Sequence, residues 1–304
     1  NTGYSSTTTT GKAPIFANAL TANTSSGSVN LTSGGLTVDS YDSSVGLYNS
    51  TTNAGYAAVV AGSSVTIANG AQVKGYVATP PNSSGNVVLT YGSTAKLQGS
   101  TTSSSVNVDA TRQSTSPNQV LADISAPSGA GTSLNEPSGT VHLGTAGGSV
   151  TTYYATLGGS SGWAGWYNLS SGTLQVDGPV ILVIPGNLYI NGSGSIVIKS
   201  GGSLQIYFSG SAYIYYNGID NQTKLPKNLA IIGTSSYTGN GVYVWTPTKF
   251  YGAIYAPKDD VILYGYSSIS EFFGSVVGNM VTVYPYSSGS LPFHYDVSLR
   301  DAVF

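Results

Sequence analysis

Residues 180–216 read VILVIPGNLYINGSGSIVIKSGGSLQIYFSGSAYIYY. In this stretch, pairs of apolar residues separated by one residue recur every eight residues, and Gly, Ser, Asn or Pro lie between the pairs. Alternation within a pair predicts a short strand with one buried face, and the residues between pairs predict turns. The pairs are Val180/Leu182, Leu188/Ile190, Ile196/Ile198, Leu204/Ile206 and Ala212/Ile214.

A longer period is superimposed on the short one. Three strand-turn units make about 24 residues, and a fixed period of this length is typical of stacked repeats. We therefore predict an all-β fold, a single-stranded right-handed parallel β-helix (solenoid) of about 22–25 residues per coil, with the hand taken from the usual bias of crossover connections. Related apolar segments begin at Ile181, Leu204, Leu229, Ala253 and Ser275.

The N-terminal half shows the same pattern in looser form. Val65 and Leu89 lie 24 residues apart, and so do Val73 and Leu97. The Ser/Thr/Pro-rich residues that follow predict a loop or a strap along one face. The predicted organisation is a polar extension at 1–13 and one β-helix domain at 14–304, made of a looser part (14–100), a loop or strap (101–139) and a regular array (140–304).

Composition excludes several functional classes. Only 7 % of the residues are charged and the net charge is −2, against about 25 % charged residues in ordinary soluble proteins. Without a Lys/Arg cluster the chain is not expected to bind nucleic acid, and without a long apolar run it is not expected to span a membrane. There is no cysteine, so thiol chemistry is excluded. A surface of hydroxyls and amides favours a secreted or cell-surface protein, and the start at Asn1 suggests a processed or truncated product.

Three motifs in the last quarter carry a family resemblance. They are Phe250-Tyr-Gly-Ala-Ile-Tyr-Ala-Pro-Lys-Asp-Asp260, Phe273-Gly-Ser-Val-Val-Gly278 and Phe293-His-Tyr-Asp296. Together they resemble the C-terminal region of PilX-type pilus-assembly proteins of bacteria. The resemblance implies an exported protein with a β-helical body and no assigned enzymatic residues. The chain departs from the family in lacking the N-terminal hydrophobic helix and in carrying the Trp163/Trp166 insertion.

Catalytic and metal-binding signals are weak. Lys258-Asp-Asp260 is the best carboxylate cluster for polysaccharide chemistry, and we interpret it as a solvated turn. We interpret His294 as a packing residue near the C-terminal cap. Asp39 and Asp42 could hold calcium, but two carboxylates are too few. Zinc spacings and phosphate loops do not occur, so we predict no enzymatic activity, no cofactor and no metal.

Aromatic residues are concentrated in the C-terminal coils. One interpretation is structural, because aromatic side chains suit strands and would form ladders in stacked coils. The other is a surface that stacks on sugar rings or on another subunit. The candidate contacts for a glycan or a partner are Trp163, Trp166, Tyr213, Tyr215, Tyr264 and Tyr266.

Two further sets of residues are candidate contact or modification sites. The β-branched run of Thr7, Thr8, Thr9 and Thr10 could add as a strand to the open edge of a neighbouring copy. Asn-x-Ser/Thr sequons are potential glycosylation acceptors if the protein is exported to a glycosylating surface. They lie at Asn23, Asn30, Asn49, Asn82, Asn168, Asn191 and Asn221.

These observations leave three functional hypotheses. The first is an extracellular structural protein, a subunit or decoration of a pilus-like filament that forms a homopolymer by strand addition or end-to-end stacking. The second is a surface adhesin, resembling the tāpirin type, whose aromatic face binds polysaccharide. The third and weakest is a β-helix polysaccharide lyase or hydrolase.

Overall fold

The protein is a parallel β-helix, as the sequence predicts. The computed structural model describes residues 15–23, 25–49, 56–99, 106–115, 121–158, 164–216, 218–234, 241–267, 270–285 and 290–302. Within these ranges the strands form three sheets of 14, nine and four strands, and all strand pairings are parallel. Three short 3-10 helices lie at Ala110–Arg112, Pro226–Asn228 and Val297–Asp301.

Sheet I has 14 strands among the described residues. They are β1 (Leu20–Ala22), β3 (Thr37–Tyr41), β4 (Ala57–Val60), β6 (Gln72–Ala78), β8 (Lys96–Gln98), β9 (Gln113–Ser114), β10 (Thr132–Leu134), β12 (Thr151–Ala155), β15 (Pro179–Ile184), β18 (Ser203–Phe208), β21 (Leu229–Gly233), β23 (Lys249–Ala256), β25 (Glu271–Gly278) and β27 (Phe293–Asp296).

Sheets II and III form the other sides. Sheet II contains β2 (Ser28–Leu31), β5 (Ser64–Ile67), β7 (Leu89–Tyr91), β13 (Trp166–Leu169), β16 (Asn187–Ile190), β19 (Ala212–Tyr215), β22 (Gly241–Thr246), β24 (Asp260–Gly265) and β26 (Val281–Pro285). Sheet III contains β11 (Thr140–Leu143), β14 (Thr173–Val176), β17 (Ser195–Ile198) and β20 (Ile219–Asn221).

The coil register follows the apolar pairs. Val180 pairs with Leu204 in the next coil, and Val65 pairs with Leu89. The predicted 24-residue steps are thus confirmed in both halves. The members of the apolar pairs are buried and form one continuous core with the aliphatic residues of the N-terminal coils. Each coil buries its inner face only against its neighbours, which is why the stack is stable and a single coil is not.

The order of the stack differs from the order of the chain. Strand β25 pairs through Phe272 with β27 and through Val276 with β1, so residues 20–22 and 293–296 share one rung. Strand β27 then pairs with β3, and β26 pairs with β2. The N-terminal coils therefore stack on the last C-terminal coil. The described ends of the body are the strands near residue 132 and those near residue 98.

The strand pattern changes partway along the body. Sheet III ends at β20, where the polar Asn221 is in register with the buried Ile198. The Asn221 side chain donates to the Tyr251 carbonyl oxygen near the start of the eight-residue strand β23, and Phe250, Phe272 and Phe293 are buried in the core. The first halves of β23 and β25 therefore continue this side of the body as part of sheet I. In sheet II the step falls to 19 residues between Val242 and its partner Val261, below the predicted range.

An extended segment covers the outer face of sheet I. The Tyr255 hydroxyl donates to the Ala122 carbonyl oxygen at 2.6 Å, and Lys258 forms an ion pair with Asp123 at 2.8 Å. Farther along, Ile124 packs against the apolar outer side chains that include Tyr207. Residues 121–127 thus act as a strap that shields apolar surface from water. The exposed aromatic residues that lie within the described strands, Tyr91 and Tyr284, belong to sheet II.

Candidate functional site

The outer side of sheet II is an aromatic face. In β19, Ala212 and Ile214 point into the core, whereas Tyr213 and Tyr215 point outward. The same alternation of inward aliphatic and outward aromatic residues recurs in neighbouring coils and follows from the two-residue period of a strand. We define the aromatic face as Trp166, Tyr189, Tyr213, Tyr215, Tyr216, Tyr243, Trp245, Tyr264, Tyr266 and Tyr284.

The rings of the aromatic face contact one another from coil to coil. Trp166 stacks on Tyr213 with ring centroids 5.5 Å apart and an interplanar angle of 17°. Tyr213 approaches Tyr243 at 4.9 Å, and at the other end Tyr264 stacks on Tyr284 at 5.1 Å and 12°. Such pairs contribute about 0.5–1.5 kcal/mol each beyond area burial. The face is therefore a continuous, mutually supported array.

The array is large and its rim is the most accessible part. From β13 to β26 it crosses five rung-to-rung steps, about 24 Å at the usual strand spacing. Ring pairs in register differ in geometry: Tyr264 and Tyr284 are stacked, whereas Tyr189 and Tyr213 meet edge to face. The most exposed rings are Tyr216 at 48 %, Tyr266 at 41 % and Tyr284 at 38 %.

The face is nearly uncharged. Asp260 is the only Asp, Glu, Lys, Arg or His in the six strands β13, β16, β19, β22, β24 and β26, and it accepts a hydrogen bond from Asn279 Nδ2 at 2.7 Å. Burial first, and neighbouring phenols second, raise the pKa of Tyr215 and Tyr264. Their hydroxyls stay neutral at physiological pH and can donate hydrogen bonds.

The structure brings most of the sequence-derived contact candidates together. Trp166, Tyr213, Tyr215, Tyr264 and Tyr266 all belong to the aromatic face. Trp163 and the run from Thr7 to Thr10 lie outside the described residues. The candidate set omitted Tyr189, Tyr216, Tyr243, Trp245 and Tyr284, although the alternating Tyr-Val-Trp and Tyr-Ile-Tyr patterns could have identified several of them.

The sequons differ in accessibility. Asn49 and Asn82 are exposed, whereas Asn23, Asn30, Asn168 and Asn191 are half-buried. Asn221 is buried, and its Nδ2 donates to the carbonyl oxygens of Leu225 and Tyr251 at 3.0 Å each. A glycan on this nitrogen would break both hydrogen bonds. The exposed Asn49 and Asn82 are therefore the better placed acceptors.

A buried Asp-His pair lies where the two halves of the chain meet. His294 Nδ1 is 2.6 Å from Asp39 Oδ1, the Tyr48 hydroxyl donates to Asp39 Oδ2 at 2.9 Å, and the Tyr48 ring covers the imidazole. His294 is only 4 % exposed. It packs inside the stack as expected, but in the middle of the body rather than near a cap, because β27 is followed by the N-terminal coils.

The carboxylate cluster is not a solvated turn, contrary to the sequence interpretation. Asp259 is 1 % exposed, and neither carboxyl oxygen has a hydrogen-bond partner. Burial, with a smaller contribution from Asp260, raises the pKa of Asp259 to about 7. Stacking of the corner on the preceding coil, near Gly233, removes this side chain from solvent. Among the described residues, no group of three or more His, Cys, Asp or Glu is placed to hold a metal ion.

Comparison with known proteins adds a family match without a function. The model of a family described as "Domain of unknown function (DUF7305)" matches residues 158–302. The match contains the whole aromatic face and leaves out the N-terminal coils. No curated protein matches the chain significantly, and no solved structure does. In the part of the chain that the structure describes, no helix has the length and apolar character needed to cross a membrane.

Proposed function

We propose that the protein is a non-catalytic extracellular surface protein whose aromatic face binds a neutral, insoluble polysaccharide. The observation that carries the proposal is the ten-ring array on sheet II. Aromatic residues combine an apolar body with a polar tip, which suits the apolar ring faces and hydroxyl rims of sugars. A rigid solenoid also presents these rings without the entropic cost of ordering them on binding.

The size and charge of the face favour a flat neutral surface over a small or ionic ligand. A length of about 24 Å along the stack exceeds what one sugar ring can cover. The six strands that carry the face contain no basic side chain, so anionic polymers would gain no ion pair there. Phenolic hydroxyls and the side chain of Asn191, which donates to the Tyr189 hydroxyl at 2.6 Å, supply neutral hydrogen-bonding groups.

The test is co-sedimentation with insoluble cellulose and chitin. The variant carries Tyr216→Ser, Tyr266→Ser and Tyr284→Ser, the three most exposed rings of the face, and should bind at least about tenfold more weakly. Tyr91→Ser is the matched control, because Tyr91 is 53 % exposed but lies on β7, outside the face. Binding by the triple variant at the wild-type level would refute the proposal, as would equal loss in the control.

A second candidate, the filament subunit, is favoured by an open strand edge. Among the described residues β7 pairs with β5 alone, and such an edge is a template for an added strand. At the opposite end Glu136 Oε1 accepts a hydrogen bond from the Asn168 backbone nitrogen of β13 at 2.8 Å, and β10 and β11 each pair with one strand among the described residues. Strand addition, including by residues 7–10, and end-to-end stacking are both compatible with these edges. The PilX-type resemblance points the same way and stays a prediction.

Negative-stain electron microscopy tests the filament. Wild-type protein is compared with a version lacking residues 1–12 and with Tyr91→Pro, which removes an N–H group that faces away from β5 at the open edge of β7. Filaments that disappear in both variants would establish strand addition. Monodisperse rods in all three samples would eliminate this candidate and leave the polysaccharide-binding proposal untouched.

A further inference from the structure

A polar cleft opens where sheet III ends. It has a volume of about 390 Å³ and lies between β20 and the start of β23. The lining residues that matter below are Asp220, Gln222, Lys224, Lys249 and Tyr251. The cleft forms where the side made by sheet III passes from β20 to the first residues of β23.

The floor of the cleft is held by Asn221. Its side-chain oxygen accepts hydrogen bonds from the backbone nitrogen and hydroxyl of Thr223 at 3.2 and 2.6 Å, and its amide nitrogen donates to the Tyr251 carbonyl oxygen at 3.0 Å. The turn places Lys224 in the left-handed region with φ of 58°, which side chains other than Gly, Asn and Asp seldom adopt. The position of Lys224 at the cleft is thus set by a buried, satisfied turn.

One wall is an aromatic ring at the end of a stack. Tyr251 stacks on Phe273 with centroids 4.5 Å apart and an angle of 15°, and Phe273 in turn packs on His294. Among the described residues, no other ring contacts Tyr251. The side chain is half-buried and lines the cleft. A flat, rigid ring at a cleft wall is a stacking surface for a planar or pyranose ligand.

The charged side chains of the cleft differ in whether they have a partner. Lys249 forms an ion pair with Glu271 at 2.9 Å, and the Asp220 carboxylate accepts from Gln222 Nε2 at 2.7 Å. Gln222 in turn accepts from Lys199 Nζ at 3.0 Å. The ammonium of Lys224 has neither an ion pair nor a hydrogen bond within the described part of the chain. The cleft therefore offers an unpaired cation next to an aromatic wall and an amide-carboxylate pair.

We propose that this cleft binds a hexuronate residue of an acidic glycan. The sugar ring stacks on Tyr251, its carboxylate pairs with Lys224, and its hydroxyls hydrogen-bond to Gln222 and Asp220. The aromatic face lacks any basic group, so the cleft and the face have different ligands. The inference does not depend on the function proposed for the aromatic face, and either can fail without the other.

The experiment is an NMR titration of the full chain with trigalacturonate and with its methyl ester, which keeps the sugar rings and removes the charge. Adding the acid should change the chemical shifts of residues 220–224 and 249–251. The ester should bind roughly five- to tenfold more weakly. Lys224→Asn, which tolerates the left-handed backbone, should weaken binding of the acid by a similar factor. Lys227→Gln is the matched control, since Lys227 is exposed on the adjacent 3-10 helix and does not line the cleft.

Each outcome decides the proposal. Selective binding of the acid that is lost in Lys224→Asn and kept in Lys227→Gln supports it. Equal binding of acid and ester, equal loss in the two lysine variants, or no binding of either ligand would overturn it. Tyr251→Ala should reduce binding of both ligands, and because Lys224 is exposed, the test stands even if the tyrosine variant does not fold.

Discussion

The buried carboxyl of Asp259 makes stability depend on pH in an unusual direction. Burial without a hydrogen-bond partner favours the neutral form and raises its pKa from 3.8 to about 7. The folded state therefore holds this proton more tightly than the unfolded state. The contribution of the neutral Asp259 carboxyl to the free energy of unfolding is fully present below about pH 4 and is lost as pH rises to about 7. The reason is that this carboxyl ionises at lower pH in the unfolded chain than in the folded protein.

The size of this change in the free energy of unfolding follows from the difference between the folded and unfolded pKa of Asp259. One pKa unit corresponds to about 1.4 kcal/mol, so the difference between 3.8 and about 7 corresponds to about 4 kcal/mol. Asp259→Asn replaces the acid by a neutral group of the same size. We expect the variant to match the wild type near pH 4 and to exceed its free energy of unfolding by about 2–4 kcal/mol above pH 7, with relaxation of the corner reducing the full value.

The assay is urea unfolding followed by tryptophan fluorescence at several values between about pH 4 and about pH 8. Asp301→Asn is the control, because Asp301 is an exposed carboxyl, and its curve should run parallel to that of the wild type. If Asp259→Asn also runs parallel to the wild type across this range, the carboxyl is not held in its neutral form and the reasoning is wrong.

Two further predictions concern the stack itself. Gly274 has φ of 146°, and a Cβ there would collide with the Gly252 carbonyl oxygen. Gly274→Ala should therefore lower the free energy of unfolding by more than about 3 kcal/mol or prevent folding. In thermal unfolding the control Gly46→Ala should behave as wild type, because a Cβ at Gly46 meets no atom within 4 Å. Because Asn30 pairs with Thr282 in adjacent rungs and the chain lacks cysteine, the Asn30→Cys/Thr282→Cys variant should form an intramolecular disulfide, seen as a faster band on non-reducing gels. A disulfide-linked dimer, or none at all, would contradict the pairing of the N-terminal coils with the last C-terminal coil.

The sequence predicts those parts of the fold that depend on local period. Pairs such as Leu182 and Ile206 recur because each coil repeats the same inward positions, and the structure places them in register. The outward aromatic residues follow from the same alternation. Asn221 also carried a readable signal, because it replaces the inward aliphatic residue that Ile198 provides one coil earlier and marks the end of sheet III.

The stacking order could not be predicted in this way. Every coil offers similar columns of aliphatic residues and an open backbone ladder, so periodicity is the same whichever coils are neighbours. The choice depends on contacts between distant residues, such as His294 with Asp39 and Ser275 with the Asn18 carbonyl oxygen. The burial of Asp259 could not be predicted for a similar reason. An acid in a turn is usually solvated, and only the adjacent coil encloses this one.

The measurement that tests the proposed function most directly is the intrinsic fluorescence of the protein during titration with cellohexaose and chitohexaose. Trp166 and Trp245 both lie in the aromatic face, so the binding surface carries its own probes. We predict a saturable change in emission with at least one of these neutral oligosaccharides, strongly reduced in Trp245→Phe. If the emission of the wild-type protein stays constant up to the solubility limit of both oligosaccharides, the assignment of the aromatic face as a polysaccharide-binding surface is contradicted.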